Sequence, residues 1–386
     1  MVKRADFVIV GAGIAGASVA SELASHGTVV VLERESFPGY HSTGRSAAVF
    51  TEIYGNAVIR ALTSASASFF KTPPPGFTDA PLLHARPLIM IGRDDQVGAV
   101  QDLAANASRL VPDLSILDRE AILKKAPFLK ASYLATGLLE PNSSDLDVNQ
   151  IHVGFIRKAK KLGAEFLTSR DVLGITRHDG LWTVKASHDD FAAPVLINAA
   201  GAWADAVATL AGVRPIGLVP KRRSAFTFSI EPPRTTAEWP TIIDISEQFY
   251  FKPDAGKILG SPADETPSAP CDAQPEEIDI AIAIDRITQA ADFDVRSVDS
   301  RWAGLRSFVE DKSPVVGFDP ESEGFFWLAA QGGYGIQTSP ALARAAAALA
   351  RGNAIPADVA ALGVKADDLA PGRLKPESRH AFRIST

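Results

Sequence analysis

The sequence predicts an α/β protein of 386 residues: a doubly wound domain built on a parallel sheet, joined to a second part, α+β in character, on an antiparallel or mixed sheet. Three observations carry this. A short apolar run, Phe7 to Val10, meets Gly11-Ala12-Gly13-Ile14-Ala15-Gly16 and then an alanine-rich stretch to His26. A second glycine-rich segment, Gln331 to Thr338, lies between the apolar run Gly324 to Ala330 and another alanine-rich stretch, Ala341 to Ala350. From Pro215 to about Ser307, bulky groups such as Phe226-Thr227-Phe228 and Phe249-Tyr250-Phe251 alternate with proline-rich breaks at Pro232-Pro233 and Pro262 to Pro275, as strands do.

The first element is a βαβ unit of Rossmann-like type. Gly11 and Gly13 permit a tight turn and close backbone approach to a pyrophosphate, with Ala15 inside the turn, and Gly16 lets helix and strand pack closely. The helix N-terminus offers unpaired N–H groups and a favourable dipole to an anion. The run Thr28 to Leu32 ends in Glu33-Arg34, with Glu33 placed 17 residues after Gly16 to accept hydrogen bonds from adenosine ribose hydroxyls. An acid there disfavours a 2′-phosphate, so the cofactor reads as FAD or NAD, not NADP.

Beyond Phe37-Pro38-Gly39 the regular pattern lapses, and His41 to Ala48 is a polar, small-residue segment suited to wrapping a phosphate or a planar ring. Pro73 to Pro81 reads as a surface connection, Pro87 to Gly92 as a strand, and Asp94 to Ala126 as helical but broken at Pro112. Val148 to Lys161 has a helical apolar face with a basic end. Gly163 to Phe166, Val172 to Thr176, Trp182 to Lys185 and Pro194 to Asn198 follow as strands, the last meeting a glycine turn at Asn198 to Trp203. The chain is thus expected to divide into a discontinuous dinucleotide domain (1–80, 145–215 and 308–375), a substrate part (81–144 and 216–307) and a C-terminal tail (376–386).

Composition excludes several classes. With 39 Lys+Arg against 45 Asp+Glu the formal charge is −6, which lacks the basic footprint of a nucleic-acid binder. The most apolar 20-residue window, Pro194 to Val213, carries Asn198, Asp205 and two glycines, so no integral membrane segment is expected. Met1-Val2-Lys3-Arg4 is followed by Asp6 and lacks the apolar core of a secretory signal. The single cysteine, Cys271, excludes an internal disulfide and cysteine-ligated zinc or iron–sulfur sites, and fits a reducing, cytoplasmic setting. The seven histidines include no pair at helical metal-ligand spacing, so no metal is expected.

The glycine turn, Glu33-Arg34, His41-Ser42-Thr43-Gly44-Arg45-Ser46, Asn198-Ala199-Ala200-Gly201-Ala202-Trp203, Gly304-Leu305-Arg306 and Gly332-Gly333-Tyr334-Gly335 together resemble the D-amino-acid oxidase superfamily of FAD enzymes, within it the bacterial D-arginine dehydrogenase group. The similarity runs from Asp6 to about Pro371. It implies non-covalent FAD, since Cys271 does not match the covalent-flavin cysteine of related sarcosine oxidases. By this resemblance Arg45, Ser46 and Ala47 hold the flavin on one side and the loop of Gly332, Tyr334, Gly335, Ile336, Gln337 and Thr338 holds it on the other. Val172 lies on the strand whose backbone meets adenine, and Thr43, Gly201, Trp203 and Gly304 are further cofactor-binding residues. The flavin carries the redox chemistry, and the protein orients.

The resemblance also implies a carboxylate clamp of Arg223, Arg306, Tyr54 and Tyr250, with the Gly333 carbonyl receiving the substrate amine. Arginine's planar fork suits a carboxylate. From the residues alone Arg223 equally reads as part of a solvated basic run and Tyr250 as a strand aromatic. The expected activity is FAD-dependent oxidative deamination of a D-amino acid. Hydride leaves Cα for flavin N5, and the imino acid hydrolyses to a 2-oxo acid and ammonia. No Asp, Glu or His is clearly placed as a general base, and the electron acceptor is open. In the arginine-preferring group an acid stands where this chain has Leu88 and a histidine where it has Val49. With these two residues as the side-chain pocket, the expectation moves to neutral or hydrophobic D-amino acids. The alternatives are oxidation of glycine, an N-methyl amino acid or a 2-hydroxy acid, or an idle flavoprotein or electron-carrier subunit. Ala47 to Gly55 and Ser246 to Tyr250 are candidate lid segments. Lys252 and Lys257 read as surface residues or, less favoured, as oxygen-activating ones.

Overall fold

The computed structural model describes residues 2–230 and 237–374. The Pro232-Pro233 break and the tail 376–386 lie outside the described residues. The first sheet has six strands in the order Glu165–Leu167, Val29–Leu32, Phe7–Val10, Val195–Asn198, Phe325–Ala329, Val315–Phe318. All neighbours pair in parallel except the last two. Phe7 and Ile9 face the helices Ile14–Leu23, Ala57–Lys71 and Gly335–Ala350. Val8 and Val10 face the other way, onto Ile175, Trp182, Val184 and Phe191 of a four-stranded sheet. A strand covered on both faces is apolar throughout, which is why these runs show no alternation.

The second body is a nine-stranded mixed sheet. Its order is Thr266–Pro267, Val219–Phe228, Lys257–Ser261, Tyr250–Asp254, Thr241–Asp244, Leu88–Gly92, Thr136–Glu140, Ser115–Asp118, and Ser300–Phe308 also pairs with Val219–Phe228. One face carries an aromatic core of Phe128, Phe226, Phe228, Phe249, Phe251 and Phe293. A small fourth sheet joins Val49–Phe50, Ser144–Leu146 and Leu83–Ala85.

The structure corrects three expectations. The stretch read as strand-like from Pro215 to Ser307 contains a helix, Glu277–Ala290. Its isoleucines recur at every second position, 278 to 284, and mimic a strand. Yet Ile280, Ala283, Ile287 and Ala290 are the buried set, at helical spacing, while Ile278 is 61% exposed. Glu277 and Asp279 in its first turn favour that N-terminus. Within the segment where the pattern lapses lies the helix Ala57–Lys71, capped by the Asn56 side chain, which accepts from Ile59 N–H at 3.0 Å. Its serines and threonines hide the pattern by bonding back to their own helix, as Thr63 does to Ile59 O at 2.9 Å. The region Asp94 to Ala126 is two helices, Val97–Ala107 and Arg119–Lys125, separated by the strand Ser115–Asp118, whose last residue caps the second.

Candidate active site

Three adjoining cavities run from the first glycine turn to the face of the nine-stranded sheet. The outermost, of about 320 Å³, is lined by Gly11, Gly13, Glu33, Arg34, Thr43, Val172, Gly201 and Trp203, among others. Gly11 has φ +102°, and a Cβ there would lie 2.5 Å from Ala199 O. A Cβ on Gly16 would lie 1.9 Å from Gly11 O, so Gly16 serves packing and not the cavity wall. The carboxylate of Glu33 accepts from Ala12 N–H at 2.8 Å and Glu35 N–H at 3.0 Å. Each of its oxygens keeps a lone pair for a further donor. Thr43 Oγ1 accepts from Ile14 N–H at 3.0 Å and thereby anchors the polar segment to the helix start. The Arg34 guanidinium lies 4.8 Å from the Trp203 ring.

The middle cavity, of about 140 Å³, shares Gly13, Ser42 and Thr43 with the first. Ala15, Arg45, Ser46, Ala47, Gly304, Gly332, Gly335 and Ile336 line it. Arg45 donates to Ala273 O at 2.9 Å and Ala303 O at 3.0 Å, and pairs with Asp272. The chain after Phe325–Ala329 turns sharply here, with Ala330 at φ +58° and Gly332 at φ +54°, before Gly335–Ala350 begins.

The innermost cavity, of about 70 Å³, is lined by Val49, Thr51, Tyr54, Arg223, Thr241, Ile243, Glu247, Tyr250, Arg306, Gly333 and Gln337, among others. Arg223, Tyr250, Arg306 and Gly333 also line the middle cavity. The register explains the arginine pair: Arg223 sits opposite Gly304 and Lys221 opposite Arg306 on antiparallel strands, so the two arginines are diagonal neighbours on one face. Arg223 is 7% exposed; its Nε donates to Asp264 O at 2.8 Å, while its Nη2 has no hydrogen-bond partner and lies 3.6 Å from Glu265 Oε1. Arg306 Nη1 approaches the Tyr54 hydroxyl at a long 3.5 Å. A Cβ on Gly333 would lie 2.6 Å from the Arg306 guanidinium carbon, so a side chain there would displace that guanidinium.

The predicted site residues gather along this path with four exceptions, Gly16, Leu88, Tyr334 and Thr338. Leu88 is wholly buried among Ile53, Met90 and Leu138 and is absent from the cavity linings; its expected place at the pocket wall is taken by Thr241, its parallel neighbour. Thr338 is buried and donates back to Tyr334 O at 2.9 Å. Tyr334 packs against Tyr54 and Phe308, beneath the cavity. Lys252 is not a surface residue: it is 6% exposed, with its ammonium 2.6 Å from Asp145, whereas Lys257 is exposed beside Asp299.

The segments 47–55 and 246–250, expected as candidate lids, meet through Glu247, a residue that carries no sequence signal. The Tyr54 hydroxyl donates to Glu247 Oε2 at 2.7 Å. Glu247 occupies a turn in the left-handed region, φ +55°, shaped by Asp244, whose Oδ1 accepts from Ser246 N–H at 3.0 Å and Gln248 N–H at 3.3 Å. Burial pushes the Tyr54 hydroxyl's pKa up, against the pull of Arg306, so the phenol stays neutral and donates.

Glu140 likewise carries no sequence signal. It is 2% exposed and holds the segment that carries Tyr54, accepting from Thr51 Oγ1 at 2.5 Å and Glu52 N–H at 2.7 Å. Burial raises its pKa to about 7, against the lowering effect of those two donors, with nearby Glu52 adding to the rise. A carboxyl whose pKa is higher folded than unfolded stabilises the fold fully below the unfolded value, and loses that contribution as pH rises through about 7. The rise from 4.5 to about 7 corresponds to on the order of 3 kcal/mol. Glu140→Gln mimics the neutral acid. Its thermal midpoint is therefore expected to overtake that of the wild type between pH 5.5 and 8, measured by calorimetry across that range. A constant difference in midpoint would contradict the assignment.

Residues 6–349 match the model of a protein family described as FAD dependent oxidoreductase (DAO). Human mitochondrial dimethylglycine dehydrogenase is 23% identical over 264 residues, 67% of this chain and 30% of that protein. This chain therefore spans under a third of the dimethylglycine dehydrogenases it matches. The uncharacterized oxidoreductase YurR of Bacillus subtilis is 24% identical over 379 residues, covering 90% of this chain and 95% of that one. Among solved structures, L-proline dehydrogenase from P. horikoshii superposes with a TM-score of 0.79 at 19% identity, over 99% of this chain and 100% of that one. Glycine oxidase from Geobacillus kaustophilus gives 0.77 at 20% identity, over 91% and 95%. At these identities the two structures speak to the fold. Among the described residues no group of three metal-ligating side chains and no helix long and apolar enough to cross a membrane occurs.

Proposed function

The chain belongs to the FAD-dependent oxidoreductase (DAO) family, and from that premise we propose that it oxidises the amine of a small, neutral 2-amino acid of D configuration, in the manner of an amino-acid dehydrogenase near the D-arginine dehydrogenase group. The observation that carries the reading is the clamp. Two guanidinium groups share one face of a small cavity, and a buried Arg223 Nη2 has no hydrogen-bond partner. Leaving a charged donor unmet in the interior is costly, and a substrate carboxylate supplies the missing acceptor.

The residues present fit FAD. The turn residues Gly11 and Gly13 and the carboxylate of Glu33 line the outer cavity, and the three cavities are continuous through shared residues. We assign the pyrophosphate and ribose to Gly11, Gly13, Ala15 and Glu33, the adenine side to Arg34, Val172, Gly201 and Trp203, and the flavin side to Arg45, Ser46, Ala47, Gly304 and Gly332 to Gln337. The described residues of the middle cavity include no cysteine or histidine, in keeping with non-covalent binding. On this assignment segments 1–80, 145–215 and 308–375 serve the cofactor, and 81–144 and 216–307 the substrate. When bound, FAD accepts the hydride from the substrate's Cα.

The chain's own residues orient and bind. Arg223 and Arg306 fork the carboxylate while the Tyr54 and Tyr250 hydroxyls complete its shell. The Gly333 carbonyl accepts from a neutral amine, which turns the Cα–H bond toward the middle cavity. No general base is required of the chain, and the imino acid released hydrolyses to a 2-oxo acid and ammonia. The same clamp holds glycine or an N-methyl amino acid; a cavity of about 70 Å³ and relatives named glycine oxidase and dimethylglycine dehydrogenase favour that as the second reading.

The test is the visible spectrum of the purified protein mixed anaerobically with D- and L-amino acids, glycine and sarcosine. Bleaching by small D-amino acids with stoichiometric ammonia is expected. Bleaching by sarcosine with methylamine release supports the second reading. No bleaching by any of these identifies an idle flavoprotein or an electron carrier and overturns both.

A further inference from the structure

We propose that Thr241 recognises a hydrogen-bonding group on the substrate's side chain, so that the preferred substrate carries a hydroxyl-bearing side chain. This rests on the reading of the substrate as a 2-amino acid.

Thr241 is 0% exposed, lines the innermost cavity, and its Oγ1 has no hydrogen-bond partner. It opens the strand Thr241–Asp244, where side chains alternate: Ile242 faces the aromatic core, while Thr241 and Ile243 face the cavity. The backbone is fixed on one side by Thr241 N–H donating to Pro87 O at 2.8 Å and by parallel pairing with Leu88. The residue's place at the wall is therefore fixed.

A buried hydroxyl without a partner costs ~1–3 kcal/mol. Valine has the same shape and an equal liking for strands without that cost, so packing alone favours valine at this position. The acceptor or donor that satisfies Thr241 must arrive through the cavity. A hydroxyl, able to donate or to accept, is the group that meets either need of the Thr241 Oγ1. This cavity is the smallest of the three, at about 70 Å³.

The experiment compares anaerobic flavin reduction by serine and by 2-aminobutyrate, which differ by hydroxyl against methyl, in the holoenzyme and in Thr241→Val and Thr241→Ser. The wild type is expected to favour serine. Thr241→Val lowers the serine to 2-aminobutyrate ratio of kcat/KM about tenfold, or ~1.4 kcal/mol. FAD content is unchanged, the serine kcat/KM falls more than that of 2-aminobutyrate, and Thr241→Ser retains the preference. An unchanged ratio in Thr241→Val, with both substrates still bleaching the flavin, overturns the role of Thr241 and leaves the amine-oxidation reading standing. No bleaching by any 2-amino acid overturns that reading and the inference with it.

Discussion

Arg306→Ala is expected to lower kcat/KM for the preferred amino acid by about three orders of magnitude while the protein still purifies yellow. A charge-assisted hydrogen bond is worth ~1.5–3 kcal/mol, and a planar fork makes two of them, so the loss spans ~10²–10⁴ at 1.4 kcal/mol per tenfold. The lost interaction also orients Cα, so kcat falls along with a rise in KM. Stability moves little, because the side chain's hydrogen bond within the protein is the 3.5 Å contact to Tyr54. Arg306→Lys restores charge without the fork and should recover only a part. Steady-state kinetics beside flavin absorbance per protein checks this. A residue serving only the fold would instead lose flavin and thermal stability together, with KM near normal.

Gly16→Ala is expected to yield colourless, destabilised protein. A Cβ there would lie 1.9 Å from the carbonyl oxygen of Gly11, a backbone atom that cannot swing aside. The helix Ile14–Leu23 must then lift from the strand Phe7–Val10, and the turn that presents N–H groups to the pyrophosphate lifts with it. Overpacking of this kind costs ~1–3 kcal/mol or more. The fall in bound FAD should exceed tenfold, read as released flavin fluorescence after gel filtration. Full flavin occupancy in the variant would contradict the turn's role.

The glycine turn and Glu33 were legible because their chemistry is local. Close packing at Gly16, a positive φ at Gly11 and an acid closing the next strand all lie within one βαβ unit. The helix Glu277–Ala290 was illegible for the converse reason: isoleucine at alternate positions writes a strand pattern, and only the neighbouring sheet decides which of those residues are buried. Leu88 shows the limit of reading a pocket by position. Leu88 shares a sheet face with its register partner Thr241, but Ile53, Met90 and Leu138 cover it, so Thr241 and not Leu88 reaches the cavity wall. Glu247 and Glu140 carry no pattern at all. One is brought to Tyr54 by a left-handed turn that Asp244 folds, the other by a strand more than 80 residues away in sequence. Contacts made across the chain leave no spacing to read.

Anaerobic titration of the bound flavin with alanine and with alaninamide tests the central claim most directly. The two share amine, Cα and side chain, and differ only in the carboxylate that Arg223 and Arg306 are assigned to hold. Rapid bleaching by the acid with the amide slower by at least two orders of magnitude is the predicted result. Equal bleaching by both would contradict the carboxylate clamp.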